Sequence, residues 1–371
     1  MPREREILRS ASSPAATAGF RFGEGGQGSA CTVKGRALSF IPPPALVLCR
    51  TEITALMDPV AYLAAVEAGF RCYASGNASV PMPMHIPLQD GGFHAKGAVV
   101  VLDRAYVALK VNGNFPGNPQ RQGLPTIQGV VLLYDAANGS LLAVMDSIEI
   151  TLKRTAAASA LAARYLARAD ASSVAICGCG EQGRAQLVAL ADVATLKRAL
   201  AWDTDLEKAW EFAREMQEAL GIEVTAVQDV RDATRRSDII VTATSAQTPF
   251  LTNDCVSAGT FIAAVGADSP HKSELAPELL ARSKIVVDVL AQCVVMGDLH
   301  HAIDAGRVTS ADIYAELGDL VIGRKPGRTN PEEITVFDST GVAIQDAASA
   351  AWVYQRAVAR NVGTSISLGA L

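Results

Sequence analysis

From about Pro42 onward the chain alternates between apolar segments and polar stretches, and the length of each segment predicts its structure. The pair Asp58–Pro59 is typical of an N-cap and first turn, so a helix is predicted from there to about Tyr73. A second, alanine-rich helix is predicted over 151–169. Apolar segments of strand length lie at 46–49, 95–102, 106–111, 129–134 and 141–145. The Gly- and Pro-rich segment 112–129 is predicted to be a long loop at the wall of an active site.

The pattern after Asp170 becomes a regular alternation of strands and helices. Strands are predicted at 173–177, 198–202, 223–227, 238–243, 261–265 and 284–289, and helices at 181–191, 206–220 and 230–236. Such alternation is typical of an α/β fold with a doubly wound parallel sheet. A last strand at 334–337 and a helix at 342–359 leave this repeat and are expected to return to the first domain.

Composition and charge narrow the class of protein. Hydrophobic residues make up 49% of the 371 residues and charged residues 19%, which is enough apolar material for a large core. The net charge of -5 disfavours a nucleic-acid binder, and no apolar run reaches the length of a membrane span, so neither nucleic acid nor membrane is an expected partner. The basic pairs Lys197–Arg198 and Arg235–Arg236 are interpreted as solvated edges.

The termini and the cysteines add two further expectations. Residues 1–40 are rich in Ala, Ser and Gly and lack periodicity, so they are expected to form a flexible tail or to reflect a mis-assigned start. Seven scattered cysteines without a CxxC pair indicate neither a disulfide framework nor a metal site, and a reducing cytoplasm is the expected location.

The sharpest motif is Gly-x-Gly-x-x-Gly directly after a predicted strand and at the start of a predicted helix. Its residues Gly178, Gly180, Glu181, Gln182 and Gly183 are predicted to hold a dinucleotide, because glycines permit a tight turn and close approach of the backbone to a pyrophosphate at a helix N-terminus. An ordinary glycine-rich turn is the alternative.

The strand after this motif ends at Asp203, where a carboxylate would bind the hydroxyls of the adenosine ribose. A negative charge here favours NAD over NADP as the cofactor. In the alternative interpretation, Asp203 or Asp205 only caps the next helix.

Three polar residues stand in unusual contexts outside the nucleotide motif. Lys110 ends the strand YVALK, Arg154 lies in the alanine-rich helix, and Asp268 follows a strand of the parallel sheet. A substrate carboxylate needs fixed cations, and proton transfer at an amine or imine needs a titratable group nearby. The three residues are therefore candidates for an active site, although each could also be a solvated charge.

The chain resembles the ornithine cyclodeaminase and mu-crystallin family, which includes archaeal-type alanine dehydrogenases and imino-acid reductases. The resemblance covers about 45–359 and rests on several motifs in the right order: KVNGNFPGNP (110–119), GLPTIQG (123–129), the stretch 139–167, CGCGEQGRAQL (177–187), VGADSPHKSEL (265–275), ELGDLVIGRKPGR (316–328) and ITVFDSTGVAIQD (334–346).

The resemblance implies a homodimer that binds NAD and acts on a small amino or imino acid. Each subunit is expected to have a Rossmann domain at 153–326 and a discontinuous α+β substrate-binding and dimerisation domain at 41–152 and 327–371. Carried over, Lys110 matches the family's active-site lysine, Arg154 its carboxylate-binding arginine and Asp268 its catalytic aspartate. An arginine frequent in the family is replaced around Met84–His85, so His85 or Lys96 is expected to contact the substrate carboxylate instead.

The resemblance leaves three functions open. A net oxidoreductase would reduce a cyclic ketimine such as pyrroline-2-carboxylate, or interconvert an amino acid with its keto acid. An ornithine cyclodeaminase would recycle NAD internally and convert ornithine to proline and ammonia. A non-catalytic ligand-binding protein, like lens mu-crystallin, is the third possibility. The net redox reaction is favoured.

Overall fold

A computed structural model describes residues 43–368, so the predicted tail at 1–40 lies outside the described residues. The strands are β1 (Ala45–Leu48), β2 (Ala78–Ser79), β3 (Met84–Leu88), β4 (Gly91–Val101), β5 (Ala105–Asn114), β6 (Ile127–Asp135), β7 (Leu141–Asp146), β8 (Ser173–Cys177), β9 (Arg198–Trp202), β10 (Glu223–Ala226), β11 (Ile239–Thr242), β12 (Phe261–Ala264), β13 (Lys284–Val287), β14 (Ala315–Glu316), β15 (Thr335–Asp338) and β16 (Thr364–Ile366).

The helices lie between and around these strands. They are α1 (Arg50–Leu56), α2 (Pro59–Ala74), α3 (Asn118–Gln122), α4 (Ser147–Leu166), α5 (Glu181–Ala191), α6 (Leu206–Leu220), α7 (Val230–Thr234), α8 (Pro277–Ala281), α9 (Leu290–Cys293), α10 (Asp298–Asp304), α11 (Leu317–Val321) and α12 (Ala343–Arg360). Two short 3-10 turns lie at Asn253–Cys255 and Ser310–Asp312.

The second half of the chain forms the predicted doubly wound parallel sheet. Its strand order is β10-β9-β8-β11-β12-β15-β13-β14, and every pair in it is parallel. The order around β8 is that of a Rossmann fold, and α5 and α6 begin and end where the sequence predicts. Gly221 ends α6 in the left-handed conformation, with φ of 66°.

The first half forms a mixed sheet of order β16-β1-β7-β6-β5-β4-β2, with β3 paired to β4. One face of it packs against α2, α4 and α12. Side chains alternate along β5, so Tyr106, Ala108 and Lys110 point to the buried side, while Leu109 is 42% exposed on the other. Because buried alanines line α4 and α12, these helices approach their neighbours closely.

The structure corrects three expectations. The strand β15 does not return to the first domain: it pairs with β12 and β13 inside the parallel sheet, so the proposed boundary at 327 is wrong for this strand. The boundary at 152–153 falls inside the continuous helix α4. The predicted loop 112–129 is shorter than expected, because β5 and β6 stay paired up to Asn114 and Ile127 despite the glycines, and α3 lies between them.

Among residues 43–368, no single helix is long and apolar enough to cross a membrane. The helices α1 and α2 together reach that length and apolar composition, but the chain bends by 86° between them.

Candidate active site

The predicted nucleotide motif lies where the order of the parallel sheet reverses. The chain runs from β8 outward to β9 on one side, and returns to β11 on the other side of β8. In doubly wound sheets, ligands bind in the crevice at the carboxyl ends of the strands at this point. The turn 178–180 leaves the carboxyl end of β8 and leads directly into α5.

Each glycine of the turn has a distinct structural reason. Gly178 has a φ of 106°, and a Cβ there would lie 2.5 Å from the Ala243 carbonyl oxygen. A Cβ at Gly183 would lie 2.1 Å from the carbonyl oxygen of Gly178, so helix and turn touch at this residue. At Gly180, by contrast, a Cβ would meet nothing within 4 Å, and the φ of -82° suits any residue. The protein's own packing therefore does not require a glycine at 180.

This turn fits a bound dinucleotide. The space above Gly180 is open, and the first N–H groups of α5 have no carbonyl partner within their own helix. The Nε2 atom of Gln182 is buried and has no hydrogen-bond partner among residues 43–368. A polar ligand above Gly180 would give these donors an acceptor.

Asp203 supports the turn from the end of β9. Its Oδ2 atom accepts the backbone N–H of Cys179 at 2.9 Å, and its Oδ1 atom accepts that of Asp205 at 3.0 Å. The helix cap is Asp205, whose carboxylate accepts the N–H groups of Glu207 and Lys208. The two aspartates thus have different roles, and Asp203 lies against the glycine turn.

The structure brings Lys110 and Arg154 together through a residue that the sequence did not single out. Asp346, on α12, accepts hydrogen bonds from Lys110 Nζ and from Arg154 Nε, each at 2.9 Å. Arg154 Nη1 also donates to Gln345 Oε1 at 2.6 Å. The three charged side chains are at most 6% exposed, so their ion pairs are shielded from solvent.

A third cation, Lys96, reaches the same place from β4. It is the direct cross-strand partner of Lys110, and its Nζ atom donates to the carbonyl oxygens of Thr340 and Gly341 at 3.2 and 2.8 Å. Gly341 also touches Arg154, because a Cβ there would lie 2.8 Å from its Nη1 atom. Three cations and one carboxylate therefore meet beside Gly341. We call this group, Lys96, Lys110, Arg154 and Asp346, the cationic pocket.

Lys96, Lys110 and Asp346 all have pKa values below their ordinary values in this pocket. Burial, together with the neighbouring charges of Arg154 and Lys96, lowers the pKa of Lys110 to about 7 despite the opposing effect of Asp346. Burial and Arg154 lower the pKa of Lys96 as well. Burial disfavours ionisation of Asp346, but Arg154 and Lys110 outweigh it and its pKa falls below the ordinary value. A bound anion would therefore relieve repulsion among the cations.

Asp268 approaches from the loop after β12 and keeps 56% of its side chain exposed. Its Oδ1 atom accepts a hydrogen bond from Lys272 Nζ at 2.7 Å. The surrounding protein opposes ionisation, but Lys272, with smaller contributions from Lys96 and His94, lowers the pKa of Asp268 below its usual range. Asp268 is thus ionised at neutral pH, and it interacts electrostatically with Lys96 of the cationic pocket.

A buried carboxylate fixes the loop that carries Asp268. Glu274 accepts the backbone N–H groups of Thr244 and Gly266 at 2.7 and 3.0 Å, which ties the ends of β11 and β12 together. Asp298 in turn accepts the N–H of Glu274 at 2.7 Å. Burial and the neighbouring charge of Asp298 raise the pKa of Glu274.

His85 lies on β3, which pairs with the strand β4 that carries Lys96. It is exposed on β3 and stacks on His94, with 4.3 Å between the ring centroids. His94 helps to lower the pKa of Asp268. Within residues 43–368, His85 makes no hydrogen bond to Arg154 or Lys110. The suggestion that His85 contacts a substrate carboxylate stays a prediction, and Lys96 is the better-placed cation.

Sequence reasoning missed Asp346 and the turn at Thr340–Gly341. Both lie in the motif ITVFDSTGVAIQD, and a signal was present: an acidic residue stands in the first turn of a helix whose next seven residues, AASAAWV, are small or apolar. Asp288 holds this turn by accepting the N–H of Gly341 at 2.8 Å.

Comparison with known proteins gives consistent matches along the chain. The model of the ornithine cyclodeaminase/mu-crystallin family matches residues 45–361. The alanine dehydrogenase of Archaeoglobus fulgidus is 39% identical over 321 residues, which are 86% of this chain and 98% of that protein. The iminosuccinate reductase of Paracoccus denitrificans is 36% identical and covers 87% of this chain and 100% of its own.

A solved structure matches over nearly the same length. The Δ1-pyrroline-2-carboxylate reductase of Thermococcus litoralis, in complex with NADH and L-proline, superposes with a TM-score of 0.83 at 35% identity. It covers 86% of this chain and all of that one.

Proposed function

Because the chain belongs to the ornithine cyclodeaminase/mu-crystallin family, we propose that it is an NAD(H)-dependent oxidoreductase acting on the C–N bond of a small α-amino or imino acid. The observation that carries the proposal is the cationic pocket in the same chain as an open dinucleotide turn. The named activities of the relatives, alanine dehydrogenase and imino-acid reductases, support it.

The cationic pocket is proposed to bind the substrate carboxylate. Arg154 Nε donates to Asp346 and Nη1 donates to Gln345, which leaves the N–H groups of Nη2 for a carboxylate. Two of the three Nζ donors of Lys96 are used by carbonyl groups, and the remaining donor is proposed to bind the same carboxylate. Lys110 adds positive charge while its pKa near 7 keeps it titratable. Fixed on two sides, the substrate would be held in one orientation.

Asp268 is proposed to act on the substrate nitrogen. Because it is ionised, it stabilises a protonated imine during reduction and accepts a proton from the amine in the reverse direction. Reduction of a C=N bond consumes one hydride at carbon and one proton at nitrogen. When bound, NAD(H) supplies or accepts the hydride. The residues of this chain orient the substrate and control the proton.

Gly178, Gly180, Glu181, Gln182, Gly183 and Asp203 are proposed to hold NAD. The acidic side chain of Asp203 supports NAD over NADP, since a 2'-phosphate would be repelled. The nearest bases on this strand, Lys197 and Arg198, lie at its opposite end.

A pair of alanine substitutions tests the cofactor assignment. Gly180→Ala should leave folding unchanged, because its Cβ meets no protein atom, and should weaken NADH binding. Gly183→Ala should destabilise the fold itself, because its Cβ would lie 2.1 Å from a carbonyl oxygen. Wild-type NADH affinity in Gly180→Ala, or a clear preference for NADPH in the unmodified protein, would count against the assignment.

A substrate panel decides between net oxidation and cyclodeamination. Cyclic imino acids, keto acids with ammonia or amines, ornithine and lysine are assayed with NADH and NADPH, while NADH absorbance and ammonia are followed together. The proposal predicts stoichiometric NADH oxidation with an imino acid or with a keto acid and an amine. Proline and ammonia from ornithine without net NADH change would instead identify a cyclodeaminase, and no turnover with any of them would favour a ligand-binding protein.

We also propose a homodimer. The face of the first sheet opposite to the helices exposes apolar side chains, among them Val101, Leu109 and Val130, each at least 38% exposed. Light scattering of the protein and of Leu109→Glu tests this face, and a monomeric wild type would contradict it.

The cytoplasmic location and the two-domain division, amended so that β15 belongs to the nucleotide-binding part, remain predictions.

A further inference from the structure

The two basic pairs that the sequence suggests are solvated edges lie together in one groove. Lys197–Arg198 precede and begin β9, and Arg235–Arg236 lie between α7 and β11. Arg168 joins them from the segment before β8. The groove encloses a cavity of about 390 Å³, within the range of about 300–1,000 Å³ that is typical of small-molecule sites.

This basic groove lies at the amino ends of the parallel strands. Its lining includes residues just before β8, β9, β11 and β12, whereas Gly178 and Asp268 follow the carboxyl ends of strands of the same sheet. A ligand in the groove would therefore bind at the edge opposite to the proposed active site. Neither the nucleotide turn nor the cationic pocket contributes a residue to it.

The charge of the groove contrasts with that of the whole chain. Five basic side chains and one acidic side chain, Asp238, line it, in a protein of net charge -5. Asp238 is already compensated, because it accepts hydrogen bonds from Arg168, from the backbone N–H groups of Ser172 and Ser173 and from the Ser173 hydroxyl, and these lower its pKa despite partial burial. Its charge is thus not available to the other cations.

Of the four other cations, only Arg235 has a carboxylate partner among the described residues. Arg235 lies 3.8 Å from a carboxylate oxygen of Asp254. Arg198 donates to the carbonyl oxygen of Arg236 at 2.9 Å. Within the part of the chain that the structure describes, the side chains of Lys197 and Arg236 make no hydrogen bond or ion pair. Grouped cations of this kind repel one another unless an anion lies between them.

We propose that the basic groove is a second ligand site, which binds a small polyanion of the pyrophosphate class. Guanidinium groups match phosphate oxygens with paired N–H donors, and the ammonium group of Lys197 adds a further charged donor. Among residues 43–368, no aromatic side chain lines the groove, so these residues offer no surface on which a nucleotide base would stack. The site therefore suits a phosphate compound without a base.

Calorimetric titration with inorganic pyrophosphate at constant ionic strength tests the proposal. Saturating NADH is present throughout, so that the glycine turn is occupied. We expect saturable binding, and a loss of affinity of at least about tenfold in the double variant Lys197→Gln/Arg236→Gln, since charged hydrogen bonds are removed. Both side chains are exposed and unpartnered, and NADH binding serves as the check that the variant is folded.

Two further variants complete the experiment. Arg214→Gln removes an exposed charge on α6, outside the groove, and should bind pyrophosphate as the wild type does. Ser257→Asp adds a negative charge inside the groove and should abolish binding without touching the basic residues. Absence of saturable binding at millimolar pyrophosphate, equal losses in Arg214→Gln and the double variant, or binding only when NADH is omitted would overturn the proposal. Equally tight binding of malonate would overturn the phosphate class.

Discussion

Replacing Asp346 by Asn removes the charge that holds the cationic pocket together. The carboxylate lies 2.9 Å from both Lys110 Nζ and Arg154 Nε and is almost fully buried. Lys110 can respond to the loss by releasing its proton, because its pKa is already near 7. Arg154 cannot, since a guanidinium stays charged in proteins. The cost of the substitution therefore falls mainly on Arg154.

The loss of stability expected for Asp346→Asn follows from this difference between Lys110, which can lose its charge, and Arg154, which cannot. Removing one partner of a buried ion pair costs about 3–5 kcal/mol. The Asn oxygen still accepts one hydrogen bond, so we expect a loss in the free energy of unfolding of about 3 kcal/mol, at the lower end of that range. The same change removes the interaction that raises the pKa of Lys110, so this pKa should fall below about 7.

Urea unfolding at pH 7 and fixed protein concentration measures the first effect. The control is Asp135→Asn, which breaks the more exposed pair Arg104–Asp135 with its distance of 3.0 Å and should cost less than about 1 kcal/mol. The pH dependence of kcat/KM measures the second effect, because it reports groups of the free enzyme. Equal losses in the two variants, or an unchanged pH profile, would refute the role given to Asp346.

Three other predictions concern groups with shifted pKa values. Because Lys110 loses its charge near pH 7, kcat/KM should decline above that pH, and Lys110→Arg should abolish this decline; a decline that persists would point to another group. Asp268→Asn should lower turnover by about 100-fold or more with little change in NADH affinity, and turnover close to wild type would rule out its role at the nitrogen. Glu274 has a raised pKa in the folded protein, so it stabilises the fold at low pH, and this contribution is lost as the pH rises from about 4.5 to about 7. Glu274→Gln should therefore reduce the pH dependence of the urea midpoint over this range, and an equally steep dependence would be evidence against it.

Local patterns predicted the nucleotide half of the fold well. The strand β8, the helix α5 and the strand β9 begin and end where apolar segments, glycines and polar turns indicate. Each of these signals depends only on residues a few positions apart. Strands of a parallel sheet are buried on both faces, so they also stand out as continuous apolar segments. The cap at Asp58 was found in the same way, and it accepts the N–H of Ala61 at 2.7 Å.

Features that depend on distant pairing were not predictable from such patterns. The β3–β4 hairpin and the extended β5–β6 pair are held by cross-strand hydrogen bonds, which outweigh the preference of glycine for loops. Asp346 contacts Lys110 across 236 positions of sequence, and only the packing of α12 on β5 brings them together. The sequence motif identified the segment, whereas the three-dimensional contact identified the residue.

The position of β15 bears on how the protein is made. Residues 335–338 separate β12 from β13, although these two strands follow one another more closely along the chain. During synthesis, β12 and β13 leave the ribosome first, and their edges that face β15 stay unpaired until residues 335–338 have emerged. A chain cut before residue 335 would lose an inner strand rather than a terminal extension. We therefore expect the parallel sheet to assemble only after residue 338 has emerged, and termination products that end before residue 335 to aggregate.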